Sequence, residues 1–259
     1  MSLLHDAFAR AKSENRAALI AYLPAGYPTE DGAVACIAAM VEGGVDIVEI
    51  GFPYSDPVMD GPTIQDAVNI SLEGGTKSAT VINTVKRVAE LGVPALVMSY
   101  WNPIERYGVD SFASDFHAAG GVGVITPDLT PEEAEDWILA TNSNDVDRVF
   151  LVALSSSDER IAKVANATTG FIYAGAVMGV TGARTSISDA IEGLVAKVRR
   201  HSDLPVAVGL GVSTPEQAHE IAQYADGVIV GSAFVTAIKK DGAAGAKALA
   251  QALSKGLAR

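Results

Sequence analysis

Eight short runs rich in Val, Ile and Ala recur along the chain, each followed by a stretch with helical spacing. No hairpin signal joins any neighbouring pair. The runs are Ala17 to Tyr22, Val45 to Gly51, Pro94 to Tyr100, Gly121 to Thr126, Arg148 to Leu154, Gly170 to Gly175, Pro205 to Gly209 and Gly227 to Val230. Strands that do not turn straight back must cross over through a helix, which makes them parallel. Eight such units predict a closed (β/α)8 TIM barrel rather than an open sheet. A short lead-in helix, Leu3 to about Ala11, precedes it. The chain has 259 residues, 49% of them hydrophobic. That matches a barrel of roughly 250 residues. No linker or shift in composition marks a boundary, so residues 1–259 read as a single domain.

The intervening helices carry their own punctuation. Thr29 caps a helix to about Glu42, and helices follow from Pro62 to Leu72 and from about Ser78 to Leu91. Trp101-Asn-Pro103 reads as a loop before a helix from Ser111 to Ala119. Thr130-Pro-Glu-Glu133, Ser156 with Glu159, and Thr214-Pro-Glu-Gln217 are capping signatures. After the sixth strand a Gly/Thr/Ser loop extends to about Ser188, then a helix runs to His201, and a closing helix follows the eighth strand.

The second strand holds the chain's most unusual residue. Val45, Ile47 and Glu49 share one face, and Val48 and Ile50 the other. Both faces are apolar except at Glu49, so a carboxyl stands at the end of a strand covered on both sides. Burial there raises its pKa, and such a group can hold a proton near neutral pH and pass it on. The following loop carries Pro53, Pro57 and Pro62, with Asp56 and Asp60 between them. Glu49 and Asp60 would then sit in different environments and take different roles. The plainer alternative is that Glu49 pairs with a lysine and Asp60 caps the helix starting near Pro62.

In a barrel of this kind the active site is built at the C-terminal ends of the strands. Tyr100 ends the third strand on the face of Leu96 and Met98, and Tyr173 lies on the sixth with Phe171. Such rings suit a flat hydrophobic ligand, although each tyrosine alone is more often a core residue. Three Gly-rich turns fall at strand ends: Gly179-Val-Thr-Gly182, Gly209-Leu-Gly211 and Gly231-Ser232. The last two follow the seventh and eighth strands, where barrels commonly hold phosphate on backbone N–H groups.

Other chemistries find no support. A net charge of −12 argues against nucleic acid and anionic membranes. His5, His117, His201 and His219 lack metal-ligand spacing, so no metal is expected. Neither a dinucleotide fingerprint, a Walker loop nor a nucleophile elbow is present. The one cysteine, Cys36, sits in an apolar helical pattern and fits a reducing cytoplasm. No apolar run is long enough to span a membrane, and the N-terminus lacks the features of a signal peptide.

Glu49-Ile-Gly-Phe-Pro-Tyr-Ser-Asp-Pro-Val-Met-Asp-Gly-Pro-Thr-Ile-Gln65, with Gly179-Val-Thr-Gly182, Gly209-Leu-Gly211 and Val230-Gly-Ser-Ala233 in the same order and spacing, resembles the tryptophan synthase α subunit family over nearly the whole chain. The resemblance implies retro-aldol cleavage of indole-3-glycerol phosphate to indole and glyceraldehyde 3-phosphate. It implies Glu49 as general acid and base, and Asp60 as acceptor of the indole N–H. Tyr173 would position the substrate and Tyr100 line the pocket. Thr181 would meet Asp60 on loop closure. Gly182, Gly209, Gly211, Gly231 and Ser232 would hold the phosphate.

No cofactor is implied in this subunit. The implied partner is a pyridoxal-phosphate-dependent β subunit in an α2β2 heterotetramer, contacted through Pro53, Asp56, Pro57 and Asn102, all expected to be exposed and rigid. The chain departs from the family pattern at Phe52 and Tyr54, and at Ala176-Val-Met178, where many relatives carry a serine–arginine pair. Among rivals, an indole-glycerol phosphate synthase would want strand-end lysines, and the first strand has none. A non-catalytic binding subunit would not need both Glu49 and Asp60.

Overall fold

The computed structural model describes residues 3–175, 184–209 and 211–259. Its strands are β1 (Ala18–Pro24), β2 (Ile47–Gly51), β3 (Ala95–Met98), β4 (Gly123–Ile125), β5 (Asp147–Val149), β6 (Leu151–Ala153), β7 (Ile172–Gly175), β8 (Val206–Gly209) and β9 (Gly227–Val230). Every strand pairing is parallel, in the order β5-β4-β3-β2-β1-β9-β8-β7-β6. The two ends of that order, β5 and β6, are halves of the predicted fifth strand, separated only by Phe150. The first half pairs with β4 and the second with β7. One chain segment thus joins both edges, and eight strand positions close into a (β/α)8 barrel. The predicted sixth, seventh and eighth strands are β7, β8 and β9.

Two apolar clusters follow from strand alternation. Outward side chains such as Val48, Ile50, Val97, Val208 and Val228 pack under the surrounding helices. Inward ones, including Ile20, Ile47, Leu96, Ile125, Val149, Phe171, Ala207 and Ile229, fill the barrel. Helix α1 (Leu3–Ser13) buries Leu4, Ala7, Phe8 and Ala11. Their i, i+3, i+4, i+7 spacing makes one apolar face. All four join the inner cluster, and Phe8 meets Phe171 at 5.6 Å between ring centroids. Gly227 makes room for this plug: a Cβ there would lie 3.1 Å from both Phe8 and Ile20.

Helices α2 (Glu30–Glu42), α3 (Pro62–Glu73) and α4 (Ser78–Ala89) match their predicted spans within a few residues. Thr29 caps α2 by accepting from the Gly32 N–H at 3.0 Å. The expected loop at Trp101-Asn-Pro103 is instead the start of α5 (Trp101–Tyr107). Proline is tolerated in a first turn, where its missing N–H would have no partner anyway. After α6 (Val109–Ala118), the Thr130 signature yields a short 3-10 turn, Pro131–Glu133, and only then α7 (Glu135–Ser143). The cap of α8 (Asp158–Ala167) is Ser157, which accepts from the Arg160 N–H, not Ser156.

Helix α9 (Arg184–Val198) begins earlier than the expected Ser188. The Thr214–Gln217 capping box of α10 (Pro215–Ala222) forms as predicted. The closing helix α11 (Ser232–Gly256) is kinked at Gly242, whose φ of 60° with ψ of −145° is a conformation that favours glycine. Cys36 is buried, as its pattern predicts. No helix among the described residues is long and apolar enough to cross a membrane.

Candidate active site

Glu49 sits on β2 between Tyr22 of β1 and Leu96 of β3, its register partners on either side. All three face into the barrel near the C-terminal ends of the strands. Glu49 is 1% exposed, and its Oε2 has no hydrogen-bond partner. No lysine approaches it among the described residues, so the plainer reading of this carboxyl fails. Burial disfavours its charged form and the negative charge of Asp60 adds to that, which together push its pKa up to about 8.

Asp60 lies in the loop between β2 and α3. It does not cap α3: Gly61 holds that position and no side chain caps it. The Asp60 backbone carbonyl accepts from Gln65 Nε2 at 2.7 Å. Burial raises the pKa of its carboxyl, and a hydrogen bond from the Tyr100 hydroxyl holds that rise back. The same Tyr100 oxygen accepts from the Met59 N–H at 2.9 Å, so Tyr100 anchors the loop carrying Asp60. Tyr54 packs on the Tyr100 ring at 5.5 Å. Two carboxyls with different surroundings therefore share the barrel mouth. Glu49 is enclosed and protonated near neutrality, and Asp60 is half-buried and hydrogen-bonded.

Tyr173 faces inward from β7, and its hydroxyl reaches across to Gly209 at the end of β8, where a Cβ would collide with it. Gly209 is thus needed to seat this ring. Gly211 has φ 68°, a left-handed conformation that favours glycine. Gly231 precedes α11, and Ser232 opens it. The first N–H groups of that helix lack intrahelical partners and lie at the C-terminal end of β9. Thr181 and Gly182, with Gly179, lie outside the described residues.

Of the expected contact positions, Asp56 and Asn102 are exposed and Pro57 is half-buried, but Pro53 is buried. Pro53 follows directly on β2 and Phe52, before the loop reaches its exposed tip. Val58 at the loop tip is 76% exposed, and Met59 beside it is exposed too.

Tyr22 was not among the expected site residues, yet it stands closest in register to Glu49. Strand alternation carried the signal: Ala18, Ile20 and Tyr22 share the inward face of β1, and Tyr22 is the last of them. At the opposite end of the barrel, a groove of about 640 Å³ is lined by His5, His117 and Arg148 among others. Arg148 there is engaged by oxygens of helix ends: Ala167 O at 3.1 Å, Thr141 Oγ1 at 2.8 Å and Asn142 Oδ1 at 2.7 Å. That groove is remote from Glu49. No group of three potential metal ligands occurs among the described residues.

The fold and the mouth define a class: a (β/α)8-barrel protein with a buried, unpaired carboxyl on its second strand. Residues 8–257 match the family model described as tryptophan synthase alpha chain. The tryptophan synthase alpha chain of Nocardia farcinica is 55% identical over 256 residues, 99% of this chain and 96% of that one. That of Acidothermus cellulolyticus is 51% identical over 262 residues, covering 100% and 98%. A solved tryptophan synthase from Mycobacterium tuberculosis superposes with a TM-score of 0.94 at 51% identity, over 99% of this chain and 98% of that one. A tryptophan synthase subunit alpha from Legionella pneumophila gives 0.90 at 30% identity, over 99% and 98%. The chain belongs to the tryptophan synthase alpha chain family, and it is a lyase of tryptophan biosynthesis.

Proposed function

We propose that the chain cleaves indole-3-glycerol phosphate to indole and glyceraldehyde 3-phosphate, with Glu49 as both acid and base. The observation that carries this reading is the enclosed Glu49 carboxyl, protonated near neutrality and without a hydrogen-bond partner. It delivers its proton to the indole ring carbon that bears the glycerol chain. The ring becomes a cationic indolenine. The Glu49 carboxylate then removes the proton from the adjacent glycerol hydroxyl. The carbon–carbon bond breaks, its electrons restore the indole, and Glu49 regains its starting state. Proton transfers alone balance the reaction, so this subunit needs neither metal nor organic cofactor.

Asp60 accepts the indole N–H and its charge offsets the indolenine cation. Tyr173 and Tyr100 line the ring-binding wall. The phosphate rests against Gly209, Gly211, Gly231 and Ser232, where the α11 N-terminus supplies N–H groups. By the family resemblance Thr181 and Gly182, which lie outside the described residues, join the substrate contacts.

The partner is a pyridoxal-phosphate-dependent β subunit, in an α2β2 assembly that receives the indole. Exposed Val58 and Met59 beside Asp56 form an apolar tip on the loop that carries Asp60, which suits a contact able to influence the site. The buried single thiol suits a reducing compartment, the cytoplasm.

Asp60→Asn tests the division of roles. Steady-state indole release should fall about 100-fold, since one charge facing the developing cation is lost. Asp60 also raises the Glu49 pKa, so the variant's loss of activity on the alkaline side should begin at lower pH than in the wild type. Unchanged turnover would remove Asp60 from the chemistry.

A further inference from the structure

Tyr22 is paired with Glu49 across neighbouring parallel strands, and both point into the barrel. It is 8% exposed, and two glycines shape its place. A Cβ on Gly231 would lie 3.3 Å from the Tyr22 ring, and one on Gly51 would collide with the Tyr22 hydroxyl. The ring therefore lies across the mouth with its oxygen over β2. Gly51 is the next inward residue after Glu49 on the same strand, about 6.6 Å further along. A Glu49 side chain turned toward the mouth would span that gap.

The other polar groups facing this space are accounted for. The Tyr100 hydroxyl is occupied by the Met59 N–H and Asp60. The Tyr173 hydroxyl lies over Gly209 of β8, three strands away from β2. Asp60 is itself an acceptor when ionised. The Tyr22 hydroxyl has no hydrogen-bond partner among the described residues. Burial and the facing Asp60 and Glu49 carboxyls keep its proton in place well above the ordinary tyrosine range, so it remains a donor throughout the working pH range.

We propose that Tyr22 is a positioning residue for Glu49: its hydroxyl donates to the Glu49 carboxylate formed after the first proton transfer and holds it for the second. This role rests on the lyase reading above. Without such a donor the carboxylate would stand charged in an enclosed apolar site.

The test is Tyr22→Phe, which keeps the ring between the two glycines. With the β subunit present, turnover should fall about tenfold, the loss expected for one hydrogen bond to a charged group. KM should stay within about twofold. The Glu49 carboxyl, followed by NMR in 13C-glutamate-labelled protein and assigned with Glu49→Gln, should titrate about one pH unit higher than in the wild type. Turnover and titration both unchanged would overturn the proposal. So would a rise in KM alone with the same titration, which would reduce Tyr22 to packing. If the wild type released no indole, the lyase reading would fall, while the titration would still decide whether Tyr22 serves Glu49.

Discussion

Glu49→Gln is expected to lower indole release about 1000-fold and, in the same variant, to raise the stability of the chain above neutral pH. The activity loss follows from the amide's inability to give or take a proton, a contribution of roughly 100- to 10,000-fold in acid–base enzymes. The stability gain follows from linkage. Glu49 has an ordinary carboxyl pKa in the unfolded chain and one of about 8 in the folded chain. Between those values the folded state binds the extra proton, so folding stability falls as pH rises. Below them both states are protonated and nothing is lost. Glutamine has no charge to bury and escapes the penalty, which is of the order of a few kcal/mol by pH 8. Melting temperatures of the two proteins should coincide near pH 4 and diverge steadily toward pH 8, with the variant higher. Curves that stay parallel over that range would mean that Glu49 is not buried as a protonated acid.

Asp46→Ala is expected to cost about 3–5 kcal/mol of folding stability, as breaking a buried ion pair does. Asp46 is 4% exposed at the entry to β2. It accepts from Arg16 Nη1 at 2.6 Å, Arg16 Nη2 at 2.8 Å and the Leu19 N–H at 2.9 Å. With Arg10 of α1 also donating through Nη2 at 3.4 Å, it ties α1, β1 and β2 together at the end of the barrel opposite the mouth. Its removal leaves the largely buried Arg16 with only Glu14, at 2.7 Å, as a carboxylate partner. The guanidinium that has lost its bidentate carboxylate and the orphaned Leu19 N–H together carry the cost. A fall of roughly 10 °C in Tm should accompany it, since each kcal/mol is about 2–4 °C at this size. Because Asp46 is remote from Glu49, indole release measured well below the new Tm should be little changed. A stability loss under about 1 kcal/mol would show that the pair is dispensable.

The barrel was legible because its signal repeats. Eight apolar runs with intervening helical spacing leave few alternatives, and a one-residue error at any end does not alter the count. The break at Phe150 was not legible, since Val149 to Leu154 is a continuous apolar run and the change of partner strand is a property of closure. Trp101-Asn-Pro103 misled because proline marks both loops and first helical turns. Glu49 stood out as a charge in an otherwise apolar strand, a contrast visible without coordinates. Asp60, in a polar loop, offered no such contrast, and only the structure brings it against Tyr100. Tyr22 was hidden for the opposite reason: an aromatic residue at a strand end looks like core until a neighbouring glycine shows that its hydroxyl has been given space. Arg16 and Asp46 are 30 residues apart in sequence and nothing local pairs them.

The most direct measurement of the account is the pH dependence of kcat/KM for indole release by the wild-type chain with its β subunit, from pH 5 to 10. If one enclosed, protonated Glu49 starts the reaction, activity must fall as pH rises through about 8, where the free enzyme loses that proton. On the acid side it should rise as Asp60 ionises, above the ordinary carboxylate range because burial raises its pKa. A rate that kept climbing through pH 9 would contradict the account, because it would make Glu49 a base from the outset and leave the indole carbon without its acid.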